Sequence, residues 1–455
     1  MKRSLKVFLT GLILSLFLGA PCAHASNPFA EYVYAADPSA HVWNGRVYVY
    51  ASGDRTDAQE YDMTETRCFS SDDLVNWKDE GSVLRIADIP WASRHLWAPD
   101  CALINGVYCL YFPVHNKEGA PCIGVATSNS PTGPFKALPQ PLSGVAGIDP
   151  SVFVDDDGQA YIFWAGAGLQ GARLKPDGLS LDGPAQKISG AKEFFEGPWM
   201  FKRQGHYYMT YPALRPGGSG RGGSGQNYDY GTLTSPLGPL TYKGTFSTSE
   251  LGGNIHGSQL EWNGRWLCFY HDYSTSVGLK KAGFKRALRV DELRFAPNGD
   301  ILPLEWTTSG PTKLKNLNPY ERVEAECLGA ADIPEGEHAI RVEPCEAGGQ
   351  DVGSLGNGDW MRYSNVDFGA GASTFEASVA SPINGAKLEL RLDSLTGPII
   401  GQCDVPNTGG WQTWQKTQCP IILAKGVRDV YVRIIGEGTG DLCNFDWFRF
   451  TPRPK

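Results

Sequence analysis

The sequence predicts an all-β protein: a five-bladed β-propeller followed by a β-sandwich of jelly-roll type. Three observations carry that prediction. Charged residues make up only 20% of the 455-residue chain, while Gly (55) and Pro (31) are abundant, a balance that favours short strands and many turns over long charged helices. One hairpin pattern recurs five times in the first 275 residues, and near residue 315 it gives way to a different run of alternating strands. Hydrophobic residues at 41% and aromatics at 11% suffice for sizeable cores, and the length allows two or three domains. The formal charge of -8 leaves no basic face to displace phosphate counterions, so nucleic acid is not an expected partner.

The chain opens with Lys2, Arg3 and Lys6, then the apolar run Val7 to Ala20, then Ala23-His24-Ala25. This reads as a secretory leader over residues 1–25, too short for a membrane span, with a retained anchor as the alternative. Cleavage before Ser26 would make the protein secreted or periplasmic, with no membrane attachment. Ten of the eleven cysteines follow the leader and show no CxxC spacing. In an oxidising compartment some should pair, and Cys403 with Cys419 and Cys327 with Cys345 are the candidates.

The repeated segments are 36–52, 98–113, 148–166, 195–212 and 255–273. Each begins with a polar or charged residue beside Pro or Gly and continues as a short apolar run. A turn ending in Gly45, Gly106, Gly158, Gly205 or Gly264 follows, and an aromatic alternating strand closes the unit. Asn-Gly and Asp-Gly between such runs signal hairpins, because the tight turn needs positive φ. Copies about 50 to 60 residues apart leave room for a four-stranded sheet each, hence propeller blades, with a β-sandwich and chance similarity as the alternative. In a propeller the innermost strand of each blade starts near the axis. Asp37, Asp149, Glu196 and His256 would then face one pocket, with Asp100 displaced by one position in the second copy. Converging carboxylates raise one another's pKa, which is costly unless they share protons or do chemistry. Glycoside hydrolysis needs such a set, one carboxyl protonated and one ionised. A lone Asp-Pro is ordinarily a turn former; five in-phase copies carry the argument.

Segments 36–52, 95–100 (HLWAPD), 148–166, 195–199 and 255–271 resemble the catalytic domain of glycoside hydrolase family 43, over about residues 28–315. The resemblance implies a five-bladed propeller and an inverting enzyme. Asp37 would be the general base activating water, Glu196 the general acid, and Asp149 the group that raises the pKa of Glu196 and orients it. His256 corresponds to the family's central histidine, beside an axial calcium or water cluster. Arg286 falls where the family has a substrate-contacting arginine, with a surface ion pair as the alternative. Trp97, Phe195 and Trp199 flank the catalytic positions, as sugar-stacking or as core residues. Relatives that use a carboxylate nucleophile carry Arg-Asp-Pro and Glu-Cys; Ile148-Asp149-Pro150 and Glu196-Gly197 stand here instead, which favours inversion. Residues 216–225 (PGGSGRGGSG) form a flexible segment by composition, a lid or a plain connection, and lack a phosphate-loop ending.

Beyond the short join LKNLNPYER, residues 320–452 read as a sandwich of alternating strands. The motifs EAE, GGWQTW and NFDWF resemble a family 6 carbohydrate-binding module. By that resemblance Glu324, Glu326 and Asp446 would hold a structural calcium through hard oxygen ligands. Trp411 and Asn444 would form a loop site for sugar, the ring stacking and the amide bonding hydroxyls. Ser354 stands where a second aromatic is usual, so that site is half a clamp, and the concave face is the alternative. Trp360, Tyr363, Trp414 and Trp447 fit the core pattern. The expected function is removal of arabinofuranosyl or xylosyl units from plant cell-wall polysaccharide such as arabinoxylan. An α-L-arabinofuranosidase comes first, a β-xylosidase second, and an exo-galactanase is a further alternative. No cofactor is required for the chemistry, any calcium being structural, and the module would raise effective concentration at substrate. The rival from another class, a non-catalytic carbohydrate-binding protein, is opposed by the presence of all three acids.

Overall fold

The computed structural model describes residues 27–57, 60–214, 225–249, 253–274, 285–332 and 340–454. The leader and residues 216–224 of the Gly-rich segment lie outside them. Each repeat folds as the expected hairpin and seeds one antiparallel sheet. At Asn44-Gly45, Asn105-Gly106, Gln204-Gly205 and Asn263-Gly264 both turn residues take positive φ, the backbone that matches strand twist in a two-residue hairpin. The first blade is Ala35–Trp43, Arg46–Gly53, Glu65–Ser71 and Trp77–Arg85, and the second is built on Asp100–Ile104, Val107–Asn116, Pro121–Ser128 and Lys136–Ala137. The third runs Ile148–Val154, Ala160–Gly166, Gly168–Arg173 and Gln186–Lys187; the fourth runs Trp199–Arg203, His206–Leu214, Gln226–Leu233 and Thr241–Thr248. The fifth shows Gly257–Trp262, Arg265–Asp272 and Ala287–Glu292.

The start of the propeller closes the ring. The Phe29 N–H donates to Leu288 O at 2.9 Å, and the Asn27 amide both accepts from Val290 N–H (3.0 Å) and donates to Val290 O (2.9 Å). The last blade's outer edge is thereby covered by the first described residues, which removes an open strand edge. Separate apolar clusters fill the gaps between blades one and two, two and three, three and four, and four and five. The remaining gap, between blades five and one, holds Phe29, Phe69, Trp77 and Phe269.

The sandwich faces one sheet (Arg341–Pro344, Gln350–Gly356, Asp441–Pro452, Ala372–Ala380, Gln415–Pro420) against another (Ala330–Ala331, Trp360–Asp367, Val427–Ile435, Lys387–Leu392, Ile399–Asp404). A disulfide from Cys403 to Cys419 staples the two sheets, as expected. The other candidate pair is corrected: Cys327 and Cys345 are both free thiols. Cys327 lies in Cys327–Leu328, a two-residue strand that pairs with Trp77–Arg85 of the first blade, so backbone pairing directs it to the propeller. The sandwich core, including Tyr363, Phe445 and Phe448, is continuous with the cluster between blades five and one. Buried Asn76 adds a polar lock, its Oδ1 taking the Ser364 N–H (2.8 Å) and its Nδ2 donating to Ser364 O (2.9 Å). Of the four aromatics assigned to the sandwich core, only Tyr363 is fully buried. Trp360 and Trp414 are half-buried, and Trp447 lies between the Arg322 and Lys416 cations, each 5.3 Å from its ring.

Candidate active site

Asp37 and Asp149 occupy equivalent positions in the innermost strands of blades one and three, and the same local device aims them. Each precedes a proline, each has positive φ (57° and 55°), and each sits where strand register breaks, between Ala36 and Ser39 and between Ile148 and Ser151. A bulge turns a side chain out of the pleat, and proline gives up no ladder N–H there. Such left-handed backbone in a non-glycine residue is held only by strong surroundings and concentrates at functional sites.

Asp37 is buried within a dense set of partners. Ser52 Oγ donates to its Oδ2 at 2.5 Å and Arg286 Nη1 to its Oδ1 at 3.0 Å, with His256 Nδ1 3.4 Å from the same oxygen. Arg286 is itself 1% exposed and gripped by Asp54, through Nε to Oδ2 (3.0 Å) and Nη2 to Oδ1 (2.9 Å). The surface-ion-pair alternative for Arg286 is thus excluded. Burial alone would raise Asp37, but Arg286 and then His256 outweigh it and hold the carboxyl well below the usual carboxylate range. The Asp37 N–H donates to His271 Nδ1 at 3.0 Å. That nitrogen is therefore a lone-pair acceptor, so His271 is the neutral Nε2–H tautomer facing Asn254 Oδ1 at 3.2 Å. Burial, then Arg286, lowers the His271 pKa in agreement.

Glu196 and Asp149 meet across the next blade gap. The Gly197 N–H donates to Asp149 Oδ2 at 3.1 Å, so the residue after Glu196 is tied to Asp149. Gly197 also explains its own identity: at φ 53° any Cβ would lie 2.7 Å from the His256 ring, so only glycine lets the histidine approach. His256 thus packs between Asp37 on one side and the Glu196-Gly197 turn on the other. Burial raises Asp149, His256 opposes, and the charges of Glu196 and Asp37 add, pushing it up to about 8. Burial likewise raises Glu196 against the pull of a hydrogen bond from Gln226 and the charge of His256. His256 is raised, its burial outweighed by bonding to Asp37 and the charges of Asp149 and Glu196. At neutral pH the pocket therefore offers one firmly ionised carboxylate, Asp37, opposite a pair that retains a proton.

Sequence reasoning placed these four residues and Arg286 together, and the structure brings them together. Asp100, read as a displaced fifth member, goes elsewhere. Its Oδ1 accepts from Ser39 Oγ and lies 2.7 Å from His41 Nε2, while its Oδ2 accepts the Val152 N–H at 2.5 Å. It ties the inner strands of blades one, two and three. Trp199 is core, buried and bonded through Nε1 to Gln259 O at 3.0 Å. Phe195 and Trp97 are half-buried; Trp97 stacks on His95 and donates Nε1 to Tyr61 O at 2.6 Å. Asp54, His271 and Gln226 were missed. Asp54 lies just past the first repeat copy and His271 near the end of the fifth, both as ordinary polar residues, and Gln226 carried no signal.

The calcium expectations rest on the resemblance alone. Among the described residues no three His, Cys, Asp or Glu side chains converge as metal ligands. Arg322 lies between two of the expected ligands, with Nη2 2.8 Å from Glu324 Oε2 and 3.3 Å from Asp446 Oδ1. Lys78 of the first blade reaches to 3.7 Å from Glu326. Protein cations thus stand among these carboxylates. His256 is raised by its acidic neighbours and turns its Nδ1 toward Asp37 Oδ1 at 3.4 Å. In the module, Trp411 is 38% exposed, as a stacking ring requires, whereas Asn444 is 2% exposed. Its Nδ2 donates to Trp411 O and to Glu343 Oε1, both at 3.1 Å, so that amide nitrogen braces the loop from below. Ser354, at φ 55°, adds no second ring.

With the geometry in place, the relatives are informative. The model of Glycosyl hydrolases family 43 matches residues 25–301, and that of Carbohydrate binding module (family 6) matches residues 334–452. The arabinoxylan arabinofuranohydrolase of Bacillus subtilis (strain 168) is 36% identical, over 94% of this chain and 93% of its own. The xylosidase/arabinosidase 43A of Humicola insolens is 36% identical over 60% of this chain and 98% of its own. A crystal structure of a Bacillus subtilis family 43 arabinoxylan arabinofuranohydrolase in complex with cellotetraose superposes with TM-score 0.83 at 35% identity, covering 94% of this chain and 98% of that one. The chain therefore belongs to glycosyl hydrolase family 43 and is a glycosidase whose propeller is followed by a family 6 carbohydrate-binding module.

Proposed function

We propose that the protein is an exported, inverting α-L-arabinofuranosidase that removes arabinofuranosyl units from arabinoxylan. The observation that carries the chemistry is the split protonation of the pocket: Asp37 is held ionised by Arg286 and His256, while Asp149 and Glu196 are both raised. Asp37 takes a proton from a water as its oxygen attacks the anomeric carbon. Glu196 gives its proton to the departing glycosidic oxygen on the opposite face. Inversion calls for a separation of roughly 6.5–9.5 Å between these carboxyls, so that the water fits. Asp149, tied to Gly197, keeps the proton within the pair until substrate arrives. Each turnover ends with Asp37 protonated and Glu196 ionised, and exchange with solvent restores both.

The choice of sugar rests on the relatives named arabinoxylan arabinofuranohydrolase at 36% and 34% identity. A second reading, β-xylosidase, is favoured by a relative of that name from Xylanibacter ruminicola at 29% identity. Export rests on the leader pattern and agrees with the Cys403–Cys419 disulfide. The test is release of 4-nitrophenol from the α-L-arabinofuranoside and the β-D-xyloside by wild type and Glu196→Ala. Faster turnover of the arabinofuranoside is expected; faster turnover of the xyloside selects the second reading.

A further inference from the structure

We propose that Gln226 is a positioning residue for the acid catalyst, fixing which oxygen of Glu196 delivers the proton; this rests on Glu196 being the acid. Gln226 opens the strand Gln226–Leu233 in blade four and is 0% exposed. Its backbone is fixed on both sides, paired with Leu214 and accepting the Ser249 N–H at 3.0 Å. Its side-chain Oε1 accepts the N–H of Ile255, also at 3.0 Å. A backbone N–H can only donate, so the amide has one possible orientation. Nε2 therefore faces Glu196 and donates to its Oε1 at 3.0 Å.

The consequence concerns the proton. An oxygen that accepts from an amide N–H cannot present its own proton along the same direction, so the transferable proton of Glu196 sits on Oε2. Without the amide both carboxyl oxygens are equivalent acceptors, and the acid samples orientations that aim its proton away from the leaving oxygen. Gln226 also links two blades: Ile255 immediately precedes His256, so one buried side chain sets the acid in register with the histidine that contacts Asp37. Preorganisation of this kind contributes to rate without contact with substrate.

Gln226→Glu tests the idea with minimal change of shape. It keeps an acceptor for Ile255 N–H but replaces the donor to Glu196 by a second carboxyl. Gln226→Ala removes the contact altogether and serves if the first variant folds poorly, each being checked by thermal melting. General acid catalysis contributes typically 10²–10⁴-fold; mis-aiming the acid should cost part of that, about 10- to 100-fold in kcat on arabinoxylan. The loss on the 4-nitrophenyl arabinofuranoside, whose leaving group needs little protonation, should be several-fold smaller. The basic limb of the pH profile should move upward, because the Gln226 hydrogen bond is the largest influence lowering Glu196 against its burial. A folded variant with equal losses on both substrates and an unmoved basic limb overturns the proposal. Glu196→Ala, run in parallel, separates the two claims. If it also loses both substrates equally, the acid assignment itself fails and the proposal with it. If it spares the aryl glycoside while the Gln226 variants change nothing, only the Gln226 role is refuted.

Discussion

Replacing Arg286 by methionine removes the strongest influence that holds the base ionised, and its effects follow from the geometry. The guanidinium touches Asp37 and is forked on Asp54, and all three groups are buried. Removing one partner of a buried ion pair costs about 3–5 kcal/mol, because an uncompensated charge remains; here two carboxylates lose their partner. Burial raises Asp37 and Arg286 is the largest influence lowering it, so its pKa climbs in the variant. Each unit of that climb corresponds to about 1.36 kcal/mol, and below the new pKa kcat/KM falls about tenfold per pH unit as the base becomes protonated. The sign for stability is equally fixed. A depressed carboxyl stabilises the fold above its unfolded pKa and loses that contribution as pH falls through the folded one. The variant should therefore be less stable at neutral pH, with a flatter decline of stability into acid. The assays are denaturant unfolding at several pH values and a kcat/KM profile on the aryl arabinofuranoside. An Arg286→Met protein with wild-type stability and an unmoved acid limb would refute the reasoning.

Three further outcomes are expected. Burial raises Glu326 to about 8 despite Lys78, so between roughly pH 4.5 and pH 8 the unfolded chain ionises while the folded one keeps its proton, and stability falls with rising pH. Glu326→Gln should remove that slope, gaining on the order of 2 kcal/mol at neutral pH by chemical unfolding and little at low pH. Gly197→Ala would place a methyl group 2.7 Å from the His256 ring at a φ of 53°. It should cut kcat on arabinoxylan at least tenfold while its melting temperature falls by only a few degrees, about 1–3 kcal/mol of strain. Asn76→Ala strips partners from the Ser364 N–H and C=O at the junction of propeller and sandwich, at about 1–3 kcal/mol for each group left unsatisfied. Calorimetry should show the single transition of a shared core lowered, whereas separate transitions already present in wild type would contradict a shared core.

The parts of this account legible in the sequence are those with local causes. Asp37 and Asp149 announce themselves because Asp-Pro at a bulge is local backbone chemistry repeated in phase, and the Asn-Gly turns declare the hairpins that follow. Glu196 was legible through the glycine beside it, which the His256 ring requires. What stayed hidden depends on distant partners. Gln226 is one more polar residue until Ile255 fixes its amide, and His271 gains a role only when the Asp37 N–H selects its tautomer. Asp100 matched the repeat by spacing, yet its carboxylate is drawn to Ser39, His41 and the Val152 N–H of a neighbouring blade. The cations beside Glu324, Asp446 and Glu326 were hidden for a similar reason: they come from Arg322, two residues before Glu324, and from Lys78 of the other domain. Cys327 was a candidate partner for Cys345, whereas its strand belongs to the edge of blade one.

Proton NMR of arabinoxylan in the first minutes of hydrolysis tests the division of labour between residues 37 and 196 most directly. Release of free arabinofuranose as the β-anomer, opposite to the α-linkage cut, is the predicted outcome, and Asp37→Asn and Glu196→Gln should each abolish it. Appearance of the α-anomer first would mean that a carboxylate attacks the sugar, and the water-activating role of Asp37 would be wrong.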